Sequence, residues 1–317
     1  MGDLEIPSFV RFNYLLRPSK QVERKLFIEA LHRLSVGGFD IRDYTYLGFG
    51  SVYYADFVLF HRYLYVDSMI CVEAEDIPMR MEFNKPFDFI TLRMKRVSDV
   101  LPELDREKKH IVWLDYDYQL GESVLQDVEG CLQVLAPESI LIVTVDAEPR
   151  LDGANEDGVT DEQRRDVTLA RFRAELGRYV PGEIKRNVMS KGGLPKFFAS
   201  VLRTKLKESA EQKGRTFYHL FNYQYADGAQ MLSVGGMIGD VRTREKLEGS
   251  RVFDLGFVGD MEEPEVISVP PLTLREKHWL DQNLKTEKEL EFELKPELLA
   301  SFRKYYRHYP TYYETLV

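Results

Sequence analysis

Apolar positions along this chain alternate between a helical and an extended period. From Pro18 onward, Val22, Leu26, Ala30, Leu31 and Leu34 fall on one helical face, with Pro18-Ser19 at the start and Gly37-Gly38 at the stop. Tyr44 to Gly48 then reads as a strand, Tyr53 to Leu64 as a helix, and Met69 to Glu73 as a second strand. A short helix carrying Met79, Met81 and Phe83 is closed by Pro86. A third strand follows at Phe89 to Leu92, and Ser98-Asp99 opens a turn or short helix. His110 to Asp115 is a fourth strand, Gly121 to Leu135 a helix ended by Ala136-Pro137, and Ser139 to Asp146 a fifth strand. The β-branched run inside that last segment fits a strand buried on both faces.

Strand–helix alternation of this kind predicts an α/β fold: a doubly wound, mostly parallel sheet with helices on both faces. Ligands in such sheets bind beyond the carboxyl ends of the strands, which places Gly48, Gly50, Glu73, Asp115, Asp117 and Asp146 on one rim. After Asp146 the rhythm changes. Glu148 to Gln163 is an acidic, glycine-bearing loop whose Asn155-x-Asp157-Gly158 lacks the first and twelfth ligands of a calcium loop, since Gly153 and Arg164 stand there. A basic, mainly helical insertion follows, expected to break at Gly192-Gly193 and Pro195. Phe217 to Tyr225, the Asp227-Gly228 turn and Gln230 to Ile238 form an antiparallel hairpin expected at one edge of the sheet. A helical tail is rich in tyrosine and includes Trp279, Phe302, Tyr305, Tyr306, Tyr309, Tyr312 and Tyr313. The expected organisation is an N-terminal extension and helix (1–40), a Rossmann-like cofactor-binding half (41–146), the acidic loop and basic insertion (147–215), the hairpin and edge (216–270), and the tail (271–317).

Composition narrows the partners. No run approaches the roughly 18 apolar residues of a membrane span, and the acidic N-terminus lacks a secretory-type apolar stretch, which points to a cytoplasmic protein. Cys71 and Cys131 stand apart, without metal-ligand spacing, and read as reduced core thiols. The formal charge of −9 conceals an asymmetry: residues 164–215 hold fourteen Lys/Arg against five acids. That segment is a solvated helix face or a contact for an anionic substrate, nucleic acid included. The tyrosine-rich tail packs on its own chain or serves as the arm of a homodimer.

Gly48-Phe49-Gly50-Ser51, placed between a strand and a helix, lets backbone approach a ligand closely, and Glu73 at the next strand tip can accept hydrogen bonds from ribose hydroxyls. Five alternating units closed by an antiparallel hairpin resemble the class I S-adenosylmethionine-dependent methyltransferases over roughly residues 20 to 240. The resemblance implies S-adenosylmethionine as cofactor, with Gly48, Gly50 and Ser51 along its methionine and ribose end, Glu73 on the ribose, and Asp99 near the adenine amino group. Val52 stands where the family usually has a third small residue. Asp115, Asp117 and Tyr118, at the fourth strand tip, then face the methyl being transferred.

Two subtypes remain open. Asp115-x-x-Tyr118 is similar to the Asp-Pro-Pro-Tyr signature of amino methyltransferases, without its prolines. Asp115, Asp117 and Asp146 resemble the carboxylates that hold Mg²⁺ in metal-dependent O-methyltransferases. Arg17 and Lys20, at a helix start, are candidates for the cofactor carboxylate. The expected activity is methyl transfer to an O or N acceptor of a small or nucleotide-bearing anionic substrate. The alternatives are an inactive binding or sensor module of the same fold and a metal-dependent nucleotide-processing enzyme.

Overall fold

The computed structural model describes residues 17–152, 159–182, 186–286 and 288–310. An eight-stranded sheet runs through it in the order β3-β2-β1-β4-β5-β7-β6-β8. The first five strands, β1 (Thr45–Phe49), β2 (Ser68–Val72), β3 (Ile90–Arg93), β4 (His110–Gln119) and β5 (Ile140–Asp146), are parallel. β7 (Ala229–Gly239) runs antiparallel to both β5 and β6 (Thr216–Asp227). The hairpin is therefore not the last pair of the sheet. A three-residue strand that the sequence did not reveal, β8 (Glu265–Ile267), pairs parallel to β6 beyond it.

Each sheet face carries its own core. On one side α1 (Pro18–Val36) and α2 (Ala55–Leu64) bury Phe27, Leu31, Phe57 and Phe60 against Tyr46, Trp113 and Phe221. Phe27 is the pivot, meeting the Trp113 and Phe221 rings edge-on at 5.0 and 4.9 Å. The apolar stripe of α1 continues down to Val22 at the sheet, and Gly37 ends the helix as its spacing implies. On the other side, α5 (Glu122–Val134), α6 (Asp161–Leu176) and α7 (Gly193–Glu211) cover Leu114, Val143 and Val234. The smaller helices α3 (Pro78–Asn84) and α4 (Val97–Val100) follow β2 and β3.

Gly193 and Pro195 do not break a helix as expected; they lie in the first turn of α7, where a proline's missing N–H costs nothing. Thr160 starts α6 with a reciprocal capping box to Gln163. The Asn155-to-Gly158 fragment, Tyr312 and Tyr313 fall outside the described residues.

Beyond β7, α8 (Val241–Gly249) is a polar helix on Thr243 and Leu247. The tail contributes α9 (Leu274–Gln282) and α10 (Pro296–Tyr305). It packs on its own chain, with Leu280, Phe302 and Tyr309 in a small cluster, Tyr305 bonded to Glu265 of β8 and His308 to Glu29 of α1. Among the described residues no helix is long and apolar enough to cross a membrane. Both cysteines are buried and unpaired, and burial pushes the Cys71 thiol up to about 12.

Candidate functional site

A cleft of about 1080 Å³ opens at the carboxyl ends of β1, β2 and β4, lined among others by Gly50, Ser51, Glu73, Asp115, Asp117 and Tyr118. Its floor depends on the glycine turn. Gly50 donates its amide to Val72 O at 2.7 Å, and a Cβ there would lie 2.7 Å from Met81 Cε and 2.9 Å from Cys71 Sγ. Gly48, within β1, lies under the Tyr46 ring and is not part of the lining. The turn ends at Tyr54, a non-glycine residue in the left-handed region (φ 48°) with its hydroxyl donating to Met81 O at 2.9 Å. Such a conformation costs about 1 kcal/mol or more and here fixes how the loop meets α2.

Glu73 follows β2 directly, and its Oε1 accepts from Glu75 N at 2.9 Å. Burial raises its carboxyl above the usual range, with the Glu75 and Ala74 amides opposing. Asp99 is exposed on α4 and does not line the cleft, whereas Val97 and Ser98 do. On the α5 side Tyr116 donates to Asp127 Oδ2 at 2.7 Å and meets Phe49 edge-on at 4.9 Å. Burial holds the Tyr116 phenol protonated and, to a smaller extent, raises Asp127. Asp117 and the Tyr118 ring stand at the mouth, exposed.

Alternation along β4 turns Asp115 to the same face as Trp113, beneath α1, and there it meets Lys20. The Lys20 ammonium lies 2.9 Å from each Asp115 oxygen and 3.0 Å from Glu23 Oε2. The Trp113 and Tyr225 rings close around it, with centroids at 4.3 and 5.4 Å. Lys20 and Glu23 side chains are 0% exposed, while Asp115 keeps 21% of its surface towards the cleft. Beside them Arg24 pairs with Asp56, and both line the cleft.

A directional hydrogen-bond chain supports this cluster from within the sheet. Trp113 Nε1 can only donate, and does so to Thr144 Oγ1 at 2.9 Å. The Thr144 hydroxyl lies 2.7 Å from Ser233 Oγ, and Ser233 donates to Glu23 Oε1. Each hydroxyl holds one proton, so the donors point in one direction and end on Glu23. Burial raises the Glu23 carboxyl above its ordinary range, while Lys20 on one oxygen and Ser233 on the other favour its charged form.

Sequence reasoning missed Glu23, Arg24, Asp56, Asp127 and Ser233. The available signal was on α1, where Glu23 sits on the same stripe as Phe27, Ala30 and Leu34, a charge at an apolar position.

Lys20 is thus occupied by two carboxylates, and the first amides of α1 are capped by Asp227, as Ser19 N and Lys20 N donate to its two oxygens at 3.0 and 2.8 Å. Arg17 precedes the helix at its N-cap position and is not part of the cleft lining. The candidate metal ligands do not converge. Asp115 registers with Thr144, and a register irregularity after it puts Gln119, not Asp117, beside Asp146. Asp146 accepts from Glu148 N at 2.7 Å and pairs with Arg150 at 2.7 Å. Among the described residues no three acids, histidines or cysteines are grouped to hold a metal ion. In the basic insertion, Lys196, Arg203 and Lys205 reach acids elsewhere in the chain, namely Glu263, Asp260 and Glu129.

A family model described as "Putative O-methyltransferase" matches residues 12–317. Among solved structures, Trm1 from Pyrococcus horikoshii with S-adenosyl-L-methionine is similar at 13% identity and a TM-score of 0.43, covering 69% of this chain and 57% of that one. This chain therefore spans little more than half the length of that relative. The N-methyltransferase NodS from Bradyrhizobium japonicum WM9 gives 12% identity, a TM-score of 0.38 and coverage of 69% and 97%. TYW2 from M. jannaschii in complex with AdoMet gives 12%, 0.37, and coverage of 66% and 75%. No curated protein matches the chain.

Proposed function

The chain belongs to the family described as "Putative O-methyltransferase", and from that membership we propose that it transfers a methyl group from S-adenosylmethionine to a hydroxyl of a small molecule. The supporting observation is the cleft, in which the Gly50-Ser51 turn, Glu73 and the β4 tip meet at the carboxyl ends of adjoining strands. Its volume accommodates a nucleoside cofactor together with an acceptor.

The residues fit that cofactor. Glu73 presents a half-buried carboxylate to a ribose diol, and Val97 and Leu101 give an apolar wall for a base. When bound, the cofactor supplies an electrophilic methyl on a cationic sulfonium. The protein must then align a nucleophile and remove its proton. Asp117, exposed at the mouth, is the carboxylate placed to take a hydroxyl proton, and the Tyr118 ring offers a flat wall for the acceptor. Asp115 is held on Lys20 and acts as a fixed negative charge. Because Lys196, Arg203 and Lys205 of the basic insertion find acidic partners within the chain, a small acceptor is favoured over a nucleic acid.

Calorimetry with S-adenosylmethionine and S-adenosylhomocysteine tests the reading. Micromolar binding of both is expected, and no heat at millimolar ligand overturns it. Once an acceptor is found, Asp117→Asn should abolish turnover while leaving cofactor affinity intact.

A further inference from the structure

Glu23, Lys20 and Asp115 place two carboxylates on one ammonium, which leaves one negative charge uncompensated at the cleft floor. The neighbouring groups do not cancel it. Arg24, whose charge also acts on Asp115, is balanced by its own partner Asp56, and the Tyr46 and Tyr225 phenols remain protonated because burial raises both. Glu23 and Lys20 lie out of solvent, so salt and water screen this charge far less than the exposed charges at the cleft mouth.

We propose that the Glu23–Lys20–Asp115 cluster makes the cofactor site charge-selective, holding the cationic sulfonium of S-adenosylmethionine more tightly than the neutral thioether left after methyl transfer. Lys20 and Glu23 are positioning residues in this scheme, because only Asp115 opens to the cleft. Lys20 fixes the Asp115 carboxylate at 2.9 Å through both oxygens, and Glu23 returns the negative charge that Lys20 would otherwise neutralise. The Lys20 ammonium, 3.0 Å from Glu23 Oε2, favours the charged form of Glu23, while Ser233 orients its other oxygen. Loss of the methyl group then removes the attraction, which favours exchange of spent cofactor for fresh. The inference rests on the proposed cofactor.

Calorimetry measures the ratio of the two dissociation constants, product over S-adenosylmethionine. Wild-type protein should prefer S-adenosylmethionine severalfold, with the preference retained in high salt. Glu23→Gln is isosteric and still accepts from Ser233; it should lower the ratio by about five- to tenfold through weaker S-adenosylmethionine binding, leaving product affinity in place. Ser233→Ala removes a hydrogen bond and no charge, so its ratio should stay at the wild-type value. Equal weakening of both ligands in Glu23→Gln, an unchanged ratio there, or an equal shift in Ser233→Ala overturns the proposal. A wild-type ratio near one overturns it without any variant. Wild-type protein that binds neither ligand removes the cofactor reading itself, and the inference with it.

Discussion

Asp227, at the tip of the β6–β7 hairpin, holds α1 by both its oxygens, accepting the Ser19 amide at 3.0 Å and the Lys20 amide at 2.8 Å. The helix that carries Lys20, Glu23 and Arg24 is thus capped by a residue more than two hundred positions away, with no cap from its own N-cap residue, Arg17. Asp227→Ala should cost about 1 kcal/mol, as loss of an N-terminal cap does, and Asp227→Asn less. Urea denaturation measures this; an unchanged midpoint would show that the contact contributes nothing to the fold.

Lys20→Met leaves Glu23 and Asp115 facing each other without a counter-ion, and breaking a buried ion group by removing one member costs about 3–5 kcal/mol. Adding Glu23→Gln to that variant should restore part of the loss. A double-mutant cycle reads the coupling, and simple additivity would mean that the two side chains do not communicate.

Glu73 gives a pH signature. Its pKa is raised in the folded state, mainly by burial, so its contribution to stability is fully present below the ordinary carboxylate value and is lost as pH rises through the raised one. Glu73→Gln should accordingly raise the melting temperature at neutral pH by roughly 1–2 °C and leave it little changed in acid. The same substitution should weaken S-adenosylmethionine binding by about 1–3 kcal/mol. A variant both less stable and equally good at binding would contradict both roles.

Gly50→Ala forces a methyl within 2.7 Å of Met81 Cε and 2.9 Å of Cys71 Sγ. Overpacking of this kind costs about 1–3 kcal/mol, and it moves the cofactor turn. Thermal denaturation and calorimetry should report the two losses together. A double variant that shortens Met81 should recover stability first.

Millimolar Mg²⁺ should leave the melting temperature where it is. Asp115 is engaged by Lys20, and Asp146 by Arg150 and the Glu148 amide, so neither offers an open carboxylate to a shared ion. A rise of several degrees on adding Mg²⁺ would restore a metal to the site.

The alternating sheet could be read from the chain because β1, β2, β4 and β5 are apolar runs with acids or glycine at their tips, and α1 ends at a glycine. The same logic put Gly48, Gly50, Glu73, Asp115, Asp117 and Asp146 on one rim, of which Gly50, Glu73, Asp115 and Asp117 line the cleft and Gly48 and Asp146 do not. Two elements were illegible for different reasons. β8 is three residues long, too short for a period to register, and α8 buries only Thr243 and Leu247. Lys20 and Glu23 were hidden because a charge near a helix start ordinarily faces water. Their burial follows from Asp115 and Ser233, partners that no local window contains. Asp146 lies two positions beyond Thr144, the partner of Asp115, and the irregularity after Asp115 sets Gln119 rather than Asp117 beside it, which a sequence does not display.

The separation between α1 and its partners has a consequence for how the chain is made. Ser233 and Asp227 leave the ribosome some two hundred residues after Glu23 and Ser19, and His308 later still, before it reaches Glu29. Until then Lys20 and Arg24 have Asp115 and Asp56, but Glu23 lacks Ser233 and the first amides of α1 lack their cap, and long-range pairings of this kind close slowly. The support beneath the cleft is therefore completed late, and a nascent or truncated chain that has already built β1 to β5 still lacks the Ser233 and Asp227 contacts that fix α1.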